Sequence, residues 1–202
     1  MYLKMNNQNL MVSRDAKGLV DPTAEFQRIE DERRLAEQAG LGWIGKNTQL
    51  TNPKVGSFCF IGELLLDIEL KADTPIANRC GNCDLCLKNC PSKALFSPNK
   101  INATRCISYQ TIEKKGSVDT ELEDFCKKNL FGCDVCLNVC PWNKKATENH
   151  IPELQPSEEF LKMTKKDWEL FARKDYNRLF KNTPLARAGY QKLRNRRDEI
   201  LA

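Results

Sequence analysis

The sequence predicts an α+β fold, and three observations carry the prediction. Helical spacing and caps mark both ends of the chain, a strand-like apolar run lies between them, and nine of the ten cysteines fall between Cys80 and Cys140. Three segments follow: residues 1–78, a cysteine-rich domain at 79–143, and a basic helical tail at 144–202. At 202 residues the chain is long enough to bury a core. A mean hydropathy of -0.56 and the absence of any run near the roughly 20 apolar residues of a spanning helix exclude a multispan membrane protein.

The opening MYLKMNNQNLMVSRDAKG lacks the apolar core of a secretory signal, so the expected compartment is the cytosol. Asp21 and Pro22 read as an N-cap followed by proline at the first helical position. Phe26, Ile29, Leu35 and Ala36 then recur at helical spacing, which predicts a helix over 22–39. Its charged interior, RIEDERR, leaves a narrow stripe for burial.

GLGWIGKN follows, with Gly40, Gly42 and Gly45 matching GxGxxG by letter. A dinucleotide fingerprint must follow a strand and open a helix, whereas this loop follows a helix, so that reading is excluded. Two readings remain. One is a glycine-rich turn that a ligand can approach closely, with Trp43 as a flat apolar surface and Lys46 as a donor; the other is a helix C-cap at Gly40 with Trp43 in the core. SFCFIGELLLDIEL, residues 57–70, predicts one or two strands buried on both faces, with Gly62 marking a bulge or a close backbone approach.

Reducing conditions disfavour structural disulfides, so cysteines in this number point to metal. CGNCDLCLKNCP places Cys80, Cys83, Cys86 and Cys90 before Pro91, the CxxCxxCxxxCP spacing of bacterial two-cluster ferredoxins. CDVCLNVCP repeats the last three positions as Cys133, Cys136 and Cys140, with Leu130 where the first would stand. In such a pair the cysteine before proline ligates the other cluster, so the motifs interlock. One cluster then takes Cys80, Cys83, Cys86 and Cys140. The other takes Cys133, Cys136, Cys90 and a fourth thiolate from among Cys106, Cys126 and Cys59. Cys59 lies in an apolar run and Cys126 in the charged LEDFCKKN, which reads as a spare thiol on a helix; Cys106 is the choice. Two four-cysteine zinc sites compete, but three-residue intervals closed by proline suit a cubane better than paired zinc knuckles.

After the second motif, His150 falls in PWNKKATENHIP and reads as a solvent-facing loop residue. Thr164 and Asp167 form a capping box for a helix through Lys174, and Thr183 with Pro184 caps another to about Ile200. Of the formal +5, residues 160–202 carry +7, leaving −2 for the remainder. A solvated helix face explains such a run, and a nucleic acid would be attracted to the same face.

Taken together, AGLGWIGKN, GSFCFIGELLLDIEL, CGNCDLCLKNCP, RCISYQTIEKKG and FGCDVCLNVCPWNKK, in this order over about residues 35–200, resemble the epoxyqueuosine reductases. A plain ferredoxin would share only the cysteine runs. The resemblance implies a two-[4Fe–4S] ferredoxin-like domain attached to a partial α/β cobalamin-binding domain. It implies reduction of epoxyqueuosine to queuosine in tRNA, with electrons passing from the clusters to cobalamin. It supports Cys106 as the eighth ligand. It places Trp43, Gly45, Lys46, Gly56 and Ser108 along the corrin pocket, and the anticodon arm of the tRNA on the basic tail. The family extends well upstream of this chain, which looks truncated at its N-terminus. The family's acid is an aspartate, for which Asp21 in LVDPTAEF is the nearest counterpart. The expected partners are tRNA and an electron donor such as a flavodoxin or ferredoxin, with the chain a monomer.

Two functions of other classes compete: a two-cluster electron carrier without tRNA or corrin, and a nucleic-acid-binding module in which the clusters are only structural. GLGWIGKN and RCISY, which an electron carrier does not need, favour the reductase.

Overall fold

A computed structural model describes residues 32–62, 68 and 70–201. The chain divides into two compact units. One comprises residues up to Leu87 with 97–100 and 136–146; the other comprises 88–96, 101–135 and 147–202. These units cut across the segments read from composition, because each takes part of both cysteine motifs.

In the first unit, α1 is helical over 32–38; the part of the expected helix before residue 32 lies outside the described residues. It ends where the sequence indicates. Gly40 adopts φ +69, its N–H reaches the Glu37 carbonyl at 3.0 Å, and the Leu41 N–H reaches the Ala36 carbonyl at 3.0 Å. A Cβ at Gly40 would lie 2.4 Å from the Thr74 carbonyl oxygen, so glycine is required twice over. The chain then forms β1 (Trp43–Ile44) and β2 (Leu50–Thr51), antiparallel with Trp43 opposite Thr51. Ala36 and Leu50 form the core of this unit with Ala39, Leu41, Ile44 and Ile61 around them. Trp43 is fully buried, as the core reading expects.

The strand expected over 57–70 is corrected. Its described residues form no strand, Phe58 and Phe60 are 47% and 83% exposed, and Ile68 and Leu70 are exposed too. A strand buried on both faces needs neighbours on both edges. Among the described residues the sheets are two-stranded: β1–β2, and β3 (Leu95–Ser97) with β4 (Lys100–Ile101). Among the described residues, a Cβ at Gly62 would meet nothing within 4 Å, so no close approach is seen there. The described part of 1–78 is a helix and a hairpin. No helix among the described residues is long and apolar enough to cross a membrane.

The second unit is helical with two small cores. Ile107, Val118, Leu122 and Cys126 form one, with Cys133 against it; Ile107 precedes a π-helix (Tyr109–Glu113), Leu122 ends a 3-10 turn (Thr120–Leu122) and Cys126 ends α3 (Glu123–Cys126). Phe171, Tyr176, Phe180 and Leu193 form the other, within α5 (Glu158–Leu161), α6 (Lys165–Glu169), α7 (Arg173–Leu179) and α8 (Tyr190–Leu201). Leu130 packs against this aromatic core.

Both long tail helices are corrected to pairs of shorter elements. The Thr164–Asp167 capping box is present, yet α6 stops at Glu169. A second start follows, where Asp175 accepts the Ala172 N–H at 3.0 Å. The break swings Phe171 into the core, where it is 5% exposed. Thr183 and Pro184 open only a 3-10 turn (Pro184–Arg187), because Gly189 at φ +77 resets the chain before α8. Arg196 on α8 is fully buried: its guanidinium donates to the Cys126 carbonyl and to the Asn129 carbonyl at 3.0 Å, and pairs with Glu199.

Candidate metal centres

In the first unit Cys80, Cys83, Cys86 and Cys140 line one cavity of about 40 Å³, together with Gly45, Lys46, Pro141 and Trp142. The swapped cysteine before Pro141 therefore stands with the three of the first motif. By the same measure one water needs only roughly 10–15 Å³, so a larger group fits. Four thiols lining one cavity are what a multi-atom cluster requires. Burial pushes the Cys86 thiol up; the Leu87 N–H draws it down, and Cys80 and Cys140 raise it again. Loading metal must therefore displace protons.

Local folding places these cysteines. The Cys83 N–H closes a turn on the Cys80 carbonyl at 3.1 Å, ahead of α2 (Leu85–Asn89). Cys140 follows α4 (Val135–Asn138), with its N–H on the Leu137 carbonyl at 3.1 Å. The β1 end holds the first motif. Asn78 accepts the Cys80 N–H at 2.9 Å and donates to the Ile44 carbonyl at 2.9 Å, while Asn99 donates to the Gly45 carbonyl at 2.9 Å. Lys46 Nζ donates to the carbonyls of Gly81 at 2.7 Å and Cys83 at 2.8 Å.

On the Cys140 side, Asn143 acts as a clamp. It accepts the Ser57 N–H at 2.6 Å and donates to the Leu137 carbonyl at 2.8 Å. Gly56, at φ +72, leaves the space, since a Cβ there would lie 2.3 Å from Asn143 Oδ1. Trp142 meets buried Trp43 edge-on, with ring centroids 4.8 Å apart; among the described residues the Trp43 N–H has no hydrogen-bond partner.

In the second unit Cys133 lies within electrostatic range of Cys106, Cys90 and Cys126. Burial first, and then Cys106, Asp134 and Cys90, push the Cys133 thiol up, against the lowering effect of the Val135 N–H. Cys90 is buried, and Asn102 and Arg105 tie the segment after it: their donors reach the Ala94 carbonyl at 2.8 Å and the Ser92 carbonyl at 3.1 Å. The Ser108 hydroxyl accepts the Cys133 N–H at 2.9 Å and donates to the Cys133 carbonyl at 3.3 Å. Thr111 Oγ1 accepts the Gly132 N–H at 3.0 Å. Cys136 stands three residues on, in α4. Cys126 is wholly buried, and its thiol is pushed up by that burial.

Of the five residues that the resemblance assigns to the corrin, Gly45 and Lys46 line the four-cysteine cavity, whereas Trp43, Gly56 and Ser108 are engaged behind cysteine-bearing segments. Asp21 lies outside the described residues. His150 is exposed, as expected. Asn143, Asn99 and Thr111 escaped the sequence reading; the only local hint was an asparagine two residues after the second motif's proline.

Residues 79–143 match the family described as a 4Fe-4S double cluster binding domain, which supports two iron–sulfur clusters over zinc. The epoxyqueuosine reductase of Cellulophaga algicola is 38% identical over 167 residues, covering 83% of this chain and 55% of that protein. Over most of its length this chain is similar to part of the epoxyqueuosine reductases. A solved structure of epoxyqueuosine reductase from Bacillus subtilis matches with a TM-score of 0.77 at 33% identity, over 84% of this chain and 45% of that one. A crystal structure of epoxyqueuosine reductase with a tRNA-Tyr epoxyqueuosine-modified stem loop matches with the same TM-score of 0.77 at 33% identity, again over 84% and 45%. The chain spans about half the length of the epoxyqueuosine reductases it matches.

Proposed function

We propose that this chain is the cluster-bearing part of an epoxyqueuosine reductase, which reduces epoxyqueuosine to queuosine in tRNA. The observation that carries the reading is the four-cysteine cavity in which Cys140 joins Cys80, Cys83 and Cys86. The ligand sets are Cys80, Cys83, Cys86 and Cys140 for one cluster, and Cys90, Cys106, Cys133 and Cys136 for the other. When bound, the clusters supply single low-potential electrons and cobalamin supplies a nucleophilic metal.

The residues of the chain do the placing. Lys46 and Asn78 hold the first motif against β1, and Asn143 fixes the segment ahead of Cys140. Ser108 and Thr111 hold the second motif. Of the residues assigned to cobalamin, Gly45 and Lys46 would face it, while Trp43, Gly56 and Ser108 support the ligand loops. Asp21 is nominated as the acid that protonates the leaving oxygen. The exposed cations of the tail would meet the anticodon arm, and a flavodoxin or ferredoxin would supply electrons to a monomeric, cytosolic protein.

Anaerobic reconstitution tests the reading: about eight iron and eight sulfide per chain are expected, bleached by dithionite. Supplied with cobalamin and epoxyqueuosine-containing tRNA, the chain should show cluster reoxidation and some queuosine by mass spectrometry. Two zinc and no sulfide would overturn the reading. Reducible clusters that ignore both corrin and tRNA would make the chain an electron carrier.

A further inference from the structure

We infer that Lys46 is a positioning residue that sets the reduction potential of the first cluster, and this inference rests on the cluster reading above. Lys46 leaves the β1–β2 hairpin just after Gly45, and its ammonium reaches across to the CGNC turn. There it donates to the carbonyls of Gly81 and Cys83, which flank the ligands Cys80 and Cys83, and the side chain lines the cavity that those thiols share. Two properties follow from this position. The hydrogen bonds fix the shape of the turn, and the cation stands beside a site whose negative charge grows by one on reduction. A neighbouring positive charge favours the more negative, reduced form and so raises the potential.

A neutral donor would serve if holding the turn were the only task. Asn78 already does that at the same turn, accepting the Cys80 N–H and donating to the Ile44 carbonyl. An ammonium on the same loop adds charge to a job that an amide performs. Among the described residues the second set has its own neutral clamp in Ser108 and Thr111, so the effect of Lys46 is expected on one cluster only. The two clusters then differ in potential by design of the loop, which orders them for sequential single-electron transfer.

The test is an electron-paramagnetic-resonance redox titration of the reconstituted chain carrying Lys46→Gln, which keeps an N–H donor and removes the charge. One midpoint should fall by on the order of 59 mV, a tenfold drop in the reduced-to-oxidised ratio at fixed poise, while the other stays in place. The shifted cluster should be the one that survives Cys106→Ala. Lys46→Met is read in the same way if Lys46→Gln loads poorly. Unchanged midpoints at full iron content would overturn the inference, as would loss of the first cluster in both variants, which would make Lys46 a strut. Failure of the wild-type chain to take up iron and sulfide would instead sink the cluster reading itself.

Discussion

Ser108 and Cys133 are joined twice through one hydroxyl: Ser108 Oγ accepts the Cys133 N–H at 2.9 Å and donates to the Cys133 carbonyl at 3.3 Å. Both backbone groups of Cys133, a proposed ligand, are thus held by a side chain two positions after Cys106. Ser108→Ala leaves both unpartnered, at a cost of about 1–2 kcal/mol. The reconstituted variant should lose iron in an early phase amounting to half the total. A single phase at the wild-type rate, followed by iron chelation, would show that the hydroxyl does not hold the second cluster.

Cysteine substitutions separate ligands from core thiols. Cys140→Ala and Cys106→Ala should each lose about half the iron. Cys126→Ala should keep all of it, yet unfold with about 1 kcal/mol less stability, because its sulfur fills the core of Ile107, Val118 and Leu122. Iron analysis alongside a denaturant titration checks both halves of the prediction.

What was legible in the sequence, and what was not, follows from range. Cysteine spacing, the Gly40 cap and the Thr164–Asp167 box are local, and all three appear where the chain places them. SFCFIG failed because burial of a strand is decided by neighbouring strands, and Phe58 and Phe60 have none beside them among the described residues. The break before α7 failed similarly: Phe171 leaves the helical path to join an aromatic core assembled from four helices. Asn143 was invisible for the same reason, since its partners Ser57 and Leu137 come from separate parts of the chain.

Acid should expose the Lys114–Asp119 pair. Hydrogen bonds from Lys114 and Gln110 hold the Asp119 carboxyl below the usual carboxylate range. A depressed folded-state value stabilises at neutral pH, and this contribution fades as pH falls through that value. Asp119→Asn should therefore be less stable than wild type near pH 7, with the gap closing below about pH 4. Thermal melts across that range measure the gap, and a constant difference would refute the assignment.

For tRNA, the exposed cations count and the buried one does not. Lys174, Lys181 and Arg194 are exposed, whereas Arg196 is fully enclosed. Replacing the first three by alanine should flatten the slope of log affinity against log salt by about 0.7–0.9 for each phosphate that is no longer neutralised. Filter binding of an anticodon stem loop at several salt concentrations measures it; an unchanged slope would leave the tail a solvated face.

The pairing of Cys140 with Cys80, Cys83 and Cys86 has a consequence for the order of events at the ribosome. Although the first motif is synthesised early, its fourth thiolate leaves the exit tunnel only after the whole second motif has been made. In the proposed second set Cys90, emerging with the first motif, would meanwhile wait for Cys106, Cys133 and Cys136. With the proposed ligand sets, neither iron site would close during translation of the first motif, cluster insertion would be deferred until both halves had emerged, and a nascent chain arrested between them should hold neither.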